Sequence, residues 1–330
     1  MKLLITGGAG FLGARLARTL LARNTLAGQT ISTLVLADLF PPPADLAADP
    51  RVQARTGALL DQAADLGKEG FDGVFHLASA VSAECETDFD LGLRSNLDTT
   101  RALLDALRAQ TTAGGKAARL VFASSVAVFG SDAALALPEV VRDNTLPTPQ
   151  SSYGIHKFIC EQLVADYTRK GFIDGRTARL MTVSVRPGRP NGAASSFLSG
   201  IIREPLAGVE SVCPVSADTR VALSSPASTI EGLIAVFEAS REDFGGRTAL
   251  NLPAITVSVQ EMLDALAAEG GADAVARVRF EANPAIAAIV GAWPARFEAG
   301  RSLKLGLKPD NDFRSIVRQY MTDNPQAVKG

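Results

Sequence analysis

The chain reads as α/β: a doubly wound parallel sheet followed by a smaller mixed α/β cap. Three observations predict this. Short β-branched runs alternate with longer helical stretches through the first half, glycines crowd the turn behind the first run in TGGAGFLG, and the rhythm stops after Val185, where RPGRPNGAASSF is rich in turn formers. Strands separated by helices build βαβ units, and such a sheet carries helices on both faces and binds ligands beyond the carboxyl ends of its strands.

Taken in order, KLLIT (2–6) is the first strand and 11–23 the first helix. STLVLAD (32–38) and VQART (52–56) are the next strands, joined by FPPPADLAADP (40–50), a proline-rich surface connection. A helix over 59–68 leads to DGVFHLA (72–78), one over 88–110 to ARLVFASS (118–125), and one over 151–169 to ARLMTVSV (178–185). Shorter helices over 230–240 and 259–269 then mix with isolated strands. The expected division is a sheet domain over 1–186, rejoined by strands near 217–225 and 247–252, with a cap built from 187–216 and 253–330.

A chain of 330 residues, 47% of them hydrophobic, can bury roughly three quarters of the surface its unfolded form exposes. The net charge of -2, with no basic run, removes the footprint that a nucleic-acid or membrane-surface binder needs. The partner is therefore a small molecule or another protein. Cys85, Cys160 and Cys213 lie far apart with no CxxC spacing, which suggests neither a disulfide framework nor a zinc site. No apolar run reaches the roughly 18–20 residues of a membrane span. A strand beginning at Lys2 leaves no room for a signal peptide, so the expected location is the cytoplasm.

TGGAGFLG follows the first strand and opens the first helix. Gly7, Gly10 and Gly13 fit a dinucleotide pattern: the first permits a tight turn, the second a close approach to a pyrophosphate, and the third helix-on-strand packing. The helix N-terminus, with Phe11 and Leu12, offers free N–H groups to the phosphates. Asp38 ends the second strand where an adenosine ribose would lie. A carboxylate there accepts from the ribose hydroxyls and repels a 2′-phosphate, which favours NAD over NADP. These motifs make 1–186 an NAD-binding Rossmann domain and the cap a substrate-binding unit.

In SSYGIHKFICEQ, Tyr153 and Lys157 are one turn apart on one helix face, with no acidic residue between them. A phenol of pKa about 10 is a poor base at neutral pH, and losing about 3 units takes roughly 4 kcal/mol of preference for the phenolate. A nearby ammonium, helped by a positive nicotinamide ring, can supply it.

Tyr153-x-x-x-Lys157, the strand end VFASSVAVFG and TGGAGFLG together resemble the extended short-chain dehydrogenase/reductase family, which includes nucleotide-sugar epimerases and dehydratases. The similarity runs from Met1 to about Val317, ending in RSLKLGLKP. The resemblance implies that Ser125 assists catalysis beside Tyr153 and Lys157, with Ser124 a weaker candidate. Asn96 matches a structural asparagine of the fourth helix, counted among the cofactor contacts. Leu77, Ala78 and Ser79 match the turn at the cofactor, Ala58 and Leu59 the adenine contact, and Pro187 a further contact. It also implies a homodimer through the helices that carry Asn96 and Tyr153. His76 reads as a sheet-end histidine and Cys160 as core.

Nucleotide-sugar members carry an asparagine and acidic residues where this chain has VRPGRPN and TRVALSSP, with Ser225 and Pro226 in the acidic places. What remains suits a small anion, and the resemblance implies a small hydroxy acid. Arg189 and Arg220 can pair with a carboxylate, and Ser82, Asn191, Ser195 and Ser196 can reach hydroxyls, next to Ser125 and Tyr153. Two other readings stay open: a nucleotide-sugar epimerase or dehydratase, and a silent NAD-sensing regulator.

Overall fold

The computed structural model describes residues 1–188 and 193–329. Strand β1 (Lys2–Thr6) feeds α1 (Phe11–Arg23), then β2 (Thr33–Asp38), β3 (Val52–Thr56), α2 (Leu59–Leu66) and β4 (Gly73–His76). Next come α3 (Ser82–Thr87), α4 (Thr99–Thr112), β5 (Arg119–Ser125), α5 (Ser152–Arg169) and β6 (Asp174–Leu180). The later part holds β7 (Thr182–Val183), α6 (Phe197–Leu206), β8 (Ser211–Cys213), β9 (Arg220–Ser224), α7 (Pro226–Glu238) and β10 (Leu250–Asn251). It closes with β11 (Ile255–Ser258), α8 (Val259–Gly270), β12 (Val278–Phe280), α9 (Pro284–Gly291) and α10 (Phe313–Asp323).

Seven strands form one parallel sheet in the order β10-β6-β5-β4-β1-β2-β3. Strands of such a sheet are buried on both faces, which is why KLLIT is apolar without alternation. Leu3 and Ile5 pack with Leu16 and Leu20 of α1 and Phe237 of α7, while Leu4 packs with Leu103 and Leu107 of α4 and Val164 of α5. The order turns back between β1 and β4, and a crevice opens beyond the carboxyl ends at that point. A separate core around Ile201, Leu223, Val257, Leu266 and Val317 holds the cap together.

Three expectations need correction. The helix anticipated over 88–110 is broken by a π turn, Leu93–Asp98, ahead of α4. Both the N–H and the hydroxyl of Thr99 donate to the Arg94 carbonyl, five residues back, and hold the wider turn. The strand anticipated over 178–185 begins earlier, at Asp174, whose carboxylate pairs with Arg119, Arg176 and Arg241, and it gives way after Leu180 to β7. Finally, residues 217–225 do not rejoin the main sheet. β9 pairs with β7 and, antiparallel, with β11 in a three-stranded cap sheet, while β10 takes the edge of the main sheet beside β6.

Candidate active site

Sheet and cap enclose a cleft of about 1940 Å³. On the sheet side the glycine turn is tight. Gly7 has φ +71°, and a Cβ at Gly13 would lie 2.0 Å from the Gly7 carbonyl oxygen, so no larger residue lets α1 come this close to β1. Gly10 precedes α1 and offers no side-chain cap, leaving the first-turn N–H groups without an intrahelical partner. Gly7, Gly10, Phe11, Leu12, Gly13, Asp38, Ala58, Leu59, Leu77, Ala78 and Ser79 all line the cleft. The Asp38 carboxylate accepts from the Ala9 N–H at 3.0 Å and the Phe40 N–H at 3.2 Å, which pins the glycine turn to the end of β2. A narrow backbone cradle, an uncapped helix N-terminus and a carboxylate at the second strand end fit a dinucleotide.

Two expected cofactor contacts lie elsewhere. Pro187 is exposed and does not line the cleft. Asn96 is buried behind it: its Oδ1 accepts from the Ala80 N–H at 2.8 Å and the Ser79 hydroxyl at 2.9 Å, and its Nδ2 donates to the Ala80 carbonyl. It fixes the turn after β4 and leaves cofactor contact to the turn itself. His76 is held by Thr6 and Thr100, and burial, followed by the Lys157 charge, drives its pKa down to about 3, so it stays neutral. Cys160 is core.

The catalytic candidates converge at the end of β5. Ser151 caps α5 by accepting from the Gly154 N–H, which sets the phase that turns Tyr153 and Lys157 toward the cleft with Ser125. Lys157 is buried, donates to the Ala123 carbonyl at 2.8 Å, and lies 5.5 Å from the centre of the Tyr153 ring. Burial lowers its pKa to about 8. Tyr153 departs from expectation. Although its side chain is only half-buried by exposed area, desolvation pushes the phenol up to about 12, opposed by a hydrogen bond from Ser125 and the Arg186 charge. Lys157 is not among the groups that move it. The resting phenol is therefore protonated, because burial outweighs the groups that favour the phenolate.

Sequence reasoning passed over what stands behind these groups. Glu161, one turn beyond Lys157, is buried, receives two hydrogen bonds from Arg179 at 2.9 and 2.7 Å, and accepts from the Ser124 hydroxyl at 2.6 Å. Such a pair adds orientation more than stability. It ties α5 to β5 and β6 and assigns Ser124 to support. The i+4 spacing from Lys157 to Glu161 was the available signal.

On the cap side, Ser82, Ser195 and Ser196 line the cleft. Arg189 and Asn191 fall outside the described residues. Arg220 does not line the cleft. It sits at the start of β9 opposite Ser258, so its exposed side chain lies 3.9 Å from Glu261 at the head of α8. Among the described residues two arginines line the cleft: the exposed Arg94, and Arg186, the first residue of the quoted RPGRPN turn and the one beside Tyr153. Arg186 is half-buried, its Nη2 donates to the Ser195 hydroxyl at 3.1 Å, and its N–H donates to Ser199. Among the described residues no carboxylate lies within ion-pair distance of it. Burial, then the Arg203 charge, lowers its pKa while Tyr153 raises it, so the two groups are electrostatic neighbours. Glu204, Ser211, Ile286 and Trp293 complete this wall. No cluster of His, Cys, Asp and Glu able to hold a metal occurs among the described residues.

Comparison with known proteins agrees with this geometry. Residues 3–220 match the model of the NAD dependent epimerase/dehydratase family. The chain is 47% identical to a D-erythronate dehydrogenase from Cupriavidus necator, covering 98% of each chain. It is 41% identical to another from Haemophilus influenzae, covering 97% of this chain and 99% of that one. Among solved structures, a nucleoside-diphosphate-sugar epimerase from Agrobacterium tumefaciens superposes with a TM-score of 0.93 at 40% identity, over 99% of this chain and 95% of that one. An L-threonine dehydrogenase from Cupriavidus necator shares the fold at 20% identity, with a TM-score of 0.82 over 98% of this chain and 99% of that one.

Proposed function

The chain belongs to the NAD dependent epimerase/dehydratase family, and from that premise we propose that it oxidises the C2 hydroxyl of D-erythronate to 2-dehydro-D-erythronate, a step of acid-sugar catabolism in the cytoplasm. The observation that carries this reading is Arg186, a cationic side chain in the cleft, electrostatically coupled to Tyr153 and without an acidic partner among the described residues. A guanidinium so placed pairs bidentately with a carboxylate and turns binding into orientation.

Bound NAD supplies the acceptor for the C2 hydride. Gly7, Gly10, Phe11, Leu12 and Gly13 would hold its pyrophosphate, Asp38 its adenosine ribose, and Leu77, Ala78 and Ser79 the middle of the molecule. Arg186 fixes the C1 carboxylate of the hydroxy acid, and Ser125 hydrogen-bonds the C2 hydroxyl. Tyr153, as phenolate, takes the hydroxyl proton. Its pKa is about 12 even with the Ser125 hydrogen bond and the Arg186 charge favouring the phenolate, so the rest of the preference must come from what binds in the cleft. Lys157, 5.5 Å from the centre of the Tyr153 ring, would hold the nicotinamide ribose. Asp38 favours NAD over NADP.

The epimerase name of the Agrobacterium relative supports a second reading, a nucleotide-sugar epimerase. The two differ in what they leave behind: oxidation accumulates NADH, whereas epimerisation returns the cofactor unchanged. Net NADH formation with four- to six-carbon aldonates, beside nucleotide sugars, tests the proposal. D-erythronate is expected to lead the panel, and turnover of a nucleotide sugar alone would overturn it. We also propose a homodimer, supported by exposed Phe89 together with Ile155 and Ile159 on the outer face of α5. Ile159→Glu would then convert the dimer to a monomer by light scattering.

A further inference from the structure

The cap wall of the cleft has an unexplained feature near Arg186. One face of α6 presents Ser196, Gly200 and Glu204 to the cleft, four residues apart. Gly200 is mid-helix, where glycine is among the poorest choices. A Cβ there would lie 3.3 Å from Glu204 Oε2 and 3.5 Å from Ser211 Oγ. The absent side chain thus leaves a niche walled by two polar oxygens.

The Glu204 oxygens are unequal. Oε1 accepts from Arg203 Nη2 at 2.5 Å, and the same guanidinium donates through Nη1 to the Arg186 carbonyl at 2.7 Å. Oε2 is buried and accepts no hydrogen bond among the described residues. Leaving a buried carboxylate oxygen unpaired is costly, and so is glycine within a helix, yet both occur together on residues that line the cleft. A ligand hydroxyl donating to Oε2 and accepting from Ser211 would satisfy the first and use the space left by the second. Arg203 links this niche to the Arg186 backbone, so its position is fixed relative to the carboxylate-binding arginine.

We propose that Glu204 and Ser211, across Gly200, form the subsite for the hydroxylated tail of the hydroxy acid, and that the Glu204 charge rejects substrates whose tail carries a second anion. This rests on the reading that the chain oxidises a small hydroxy acid held by Arg186. Glu204 is a specificity residue here, with no part in proton transfer.

The test compares D-erythronate with (R)-2-hydroxybutyrate, which keeps the carboxylate and the C2 hydroxyl but lacks tail hydroxyls. Wild type, Glu204→Gln and Gly200→Ala are assayed on both acids and on 4-phospho-D-erythronate. A hydrogen bond to a charged group predicts that the preference for D-erythronate over the deoxy acid falls about 10- to 100-fold in each variant, mainly through KM. Glu204→Gln should also narrow the gap between D-erythronate and its phosphorylated form. Equal losses on both four-carbon acids, as a structural role would give, overturn the subsite, and so does an unchanged preference. Wild-type protein that oxidises neither acid sinks instead the functional reading beneath it. Gly200→Ala fills the niche while improving helix propensity, so a folding defect in Glu204→Gln does not decide the matter alone.

Discussion

The two walls of the cleft are built by different means. The wall belonging to the parallel sheet is mostly backbone: the Gly7 turn, the uncapped start of α1, and the Leu77–Ser79 turn that Asn96 holds from behind. The cap wall is made of side chains brought from distant parts of the chain: Arg186, Ser195, Glu204, Ser211, Ile286 and Trp293. Backbone recognises what is common to every dinucleotide, whereas side chains on a cap can be exchanged without disturbing the sheet. On the proposed function, cofactor choice falls to one wall and substrate choice to the other, and Ser125, Tyr153 and Lys157 line the cleft with both.

The largest expected effect falls on these three residues. Tyr153→Phe should lower kcat by about 10²- to 10⁴-fold while NAD still binds in a fluorescence titration. Substantial residual turnover would remove the phenol from its role as base. The pH dependence has a definite sign. The active species is the phenolate and burial raises the phenol pKa to about 12, so wild-type kcat/KM rises from neutral toward alkaline pH. A flat profile for wild type, with chemistry rate-limiting, would contradict the assignment.

The two walls themselves are separated by a pair of substitutions. Arg186→Met should raise KM for D-erythronate by about 10- to 150-fold, the size of charged hydrogen bonds, with NAD affinity unchanged. Gly13→Ala should do the converse: its Cβ would meet the Gly7 carbonyl at 2.0 Å, forcing α1 off β1. It is expected to weaken NAD by about tenfold or more and to cost about 1–3 kcal/mol of stability. If Arg186→Met weakened NAD as much as the substrate, the division of labour would fail.

The smallest effect lies away from the cleft. Burial would raise the pKa of Asp174, but hydrogen bonds from Arg176 and Arg241 outweigh it and hold the carboxylate at about 2. Its contribution is present above about pH 4, the unfolded value, and is lost as pH falls through about 2. About a third of the side chain is exposed, so screening trims this to about 1 kcal/mol. Asp174→Asn should flatten the acid limb of a denaturation series by that amount.

The same contrast explains what was legible in the sequence. The glycine turn, Asp38 and the Tyr153–Lys157 pair are local patterns, each specified within a few residues by turn geometry or helix phase, and each lines the cleft. The cap wall depends on contacts between residues far apart in sequence. Arg220 was expected in the cleft because its segment resembled a binding strand, but pairing with β7 and β11 directs it to Glu261. Arg186 was overlooked because nothing local distinguishes it from the other arginine of its turn. The pKa of Tyr153 was not legible either, since it depends on burial and on neighbours distant in sequence, Ser125 and Arg186.

The central claim, abstraction of hydrogen from C2 of a carboxylate-anchored hydroxy acid with net transfer to NAD, is tested most directly with D-erythronate deuterated at C2. The account predicts deuterium in the isolated NADH, none left at C2, and slower turnover than with the unlabelled acid. Deuterium retained at C2, or returned to it with no NADH formed, would contradict it.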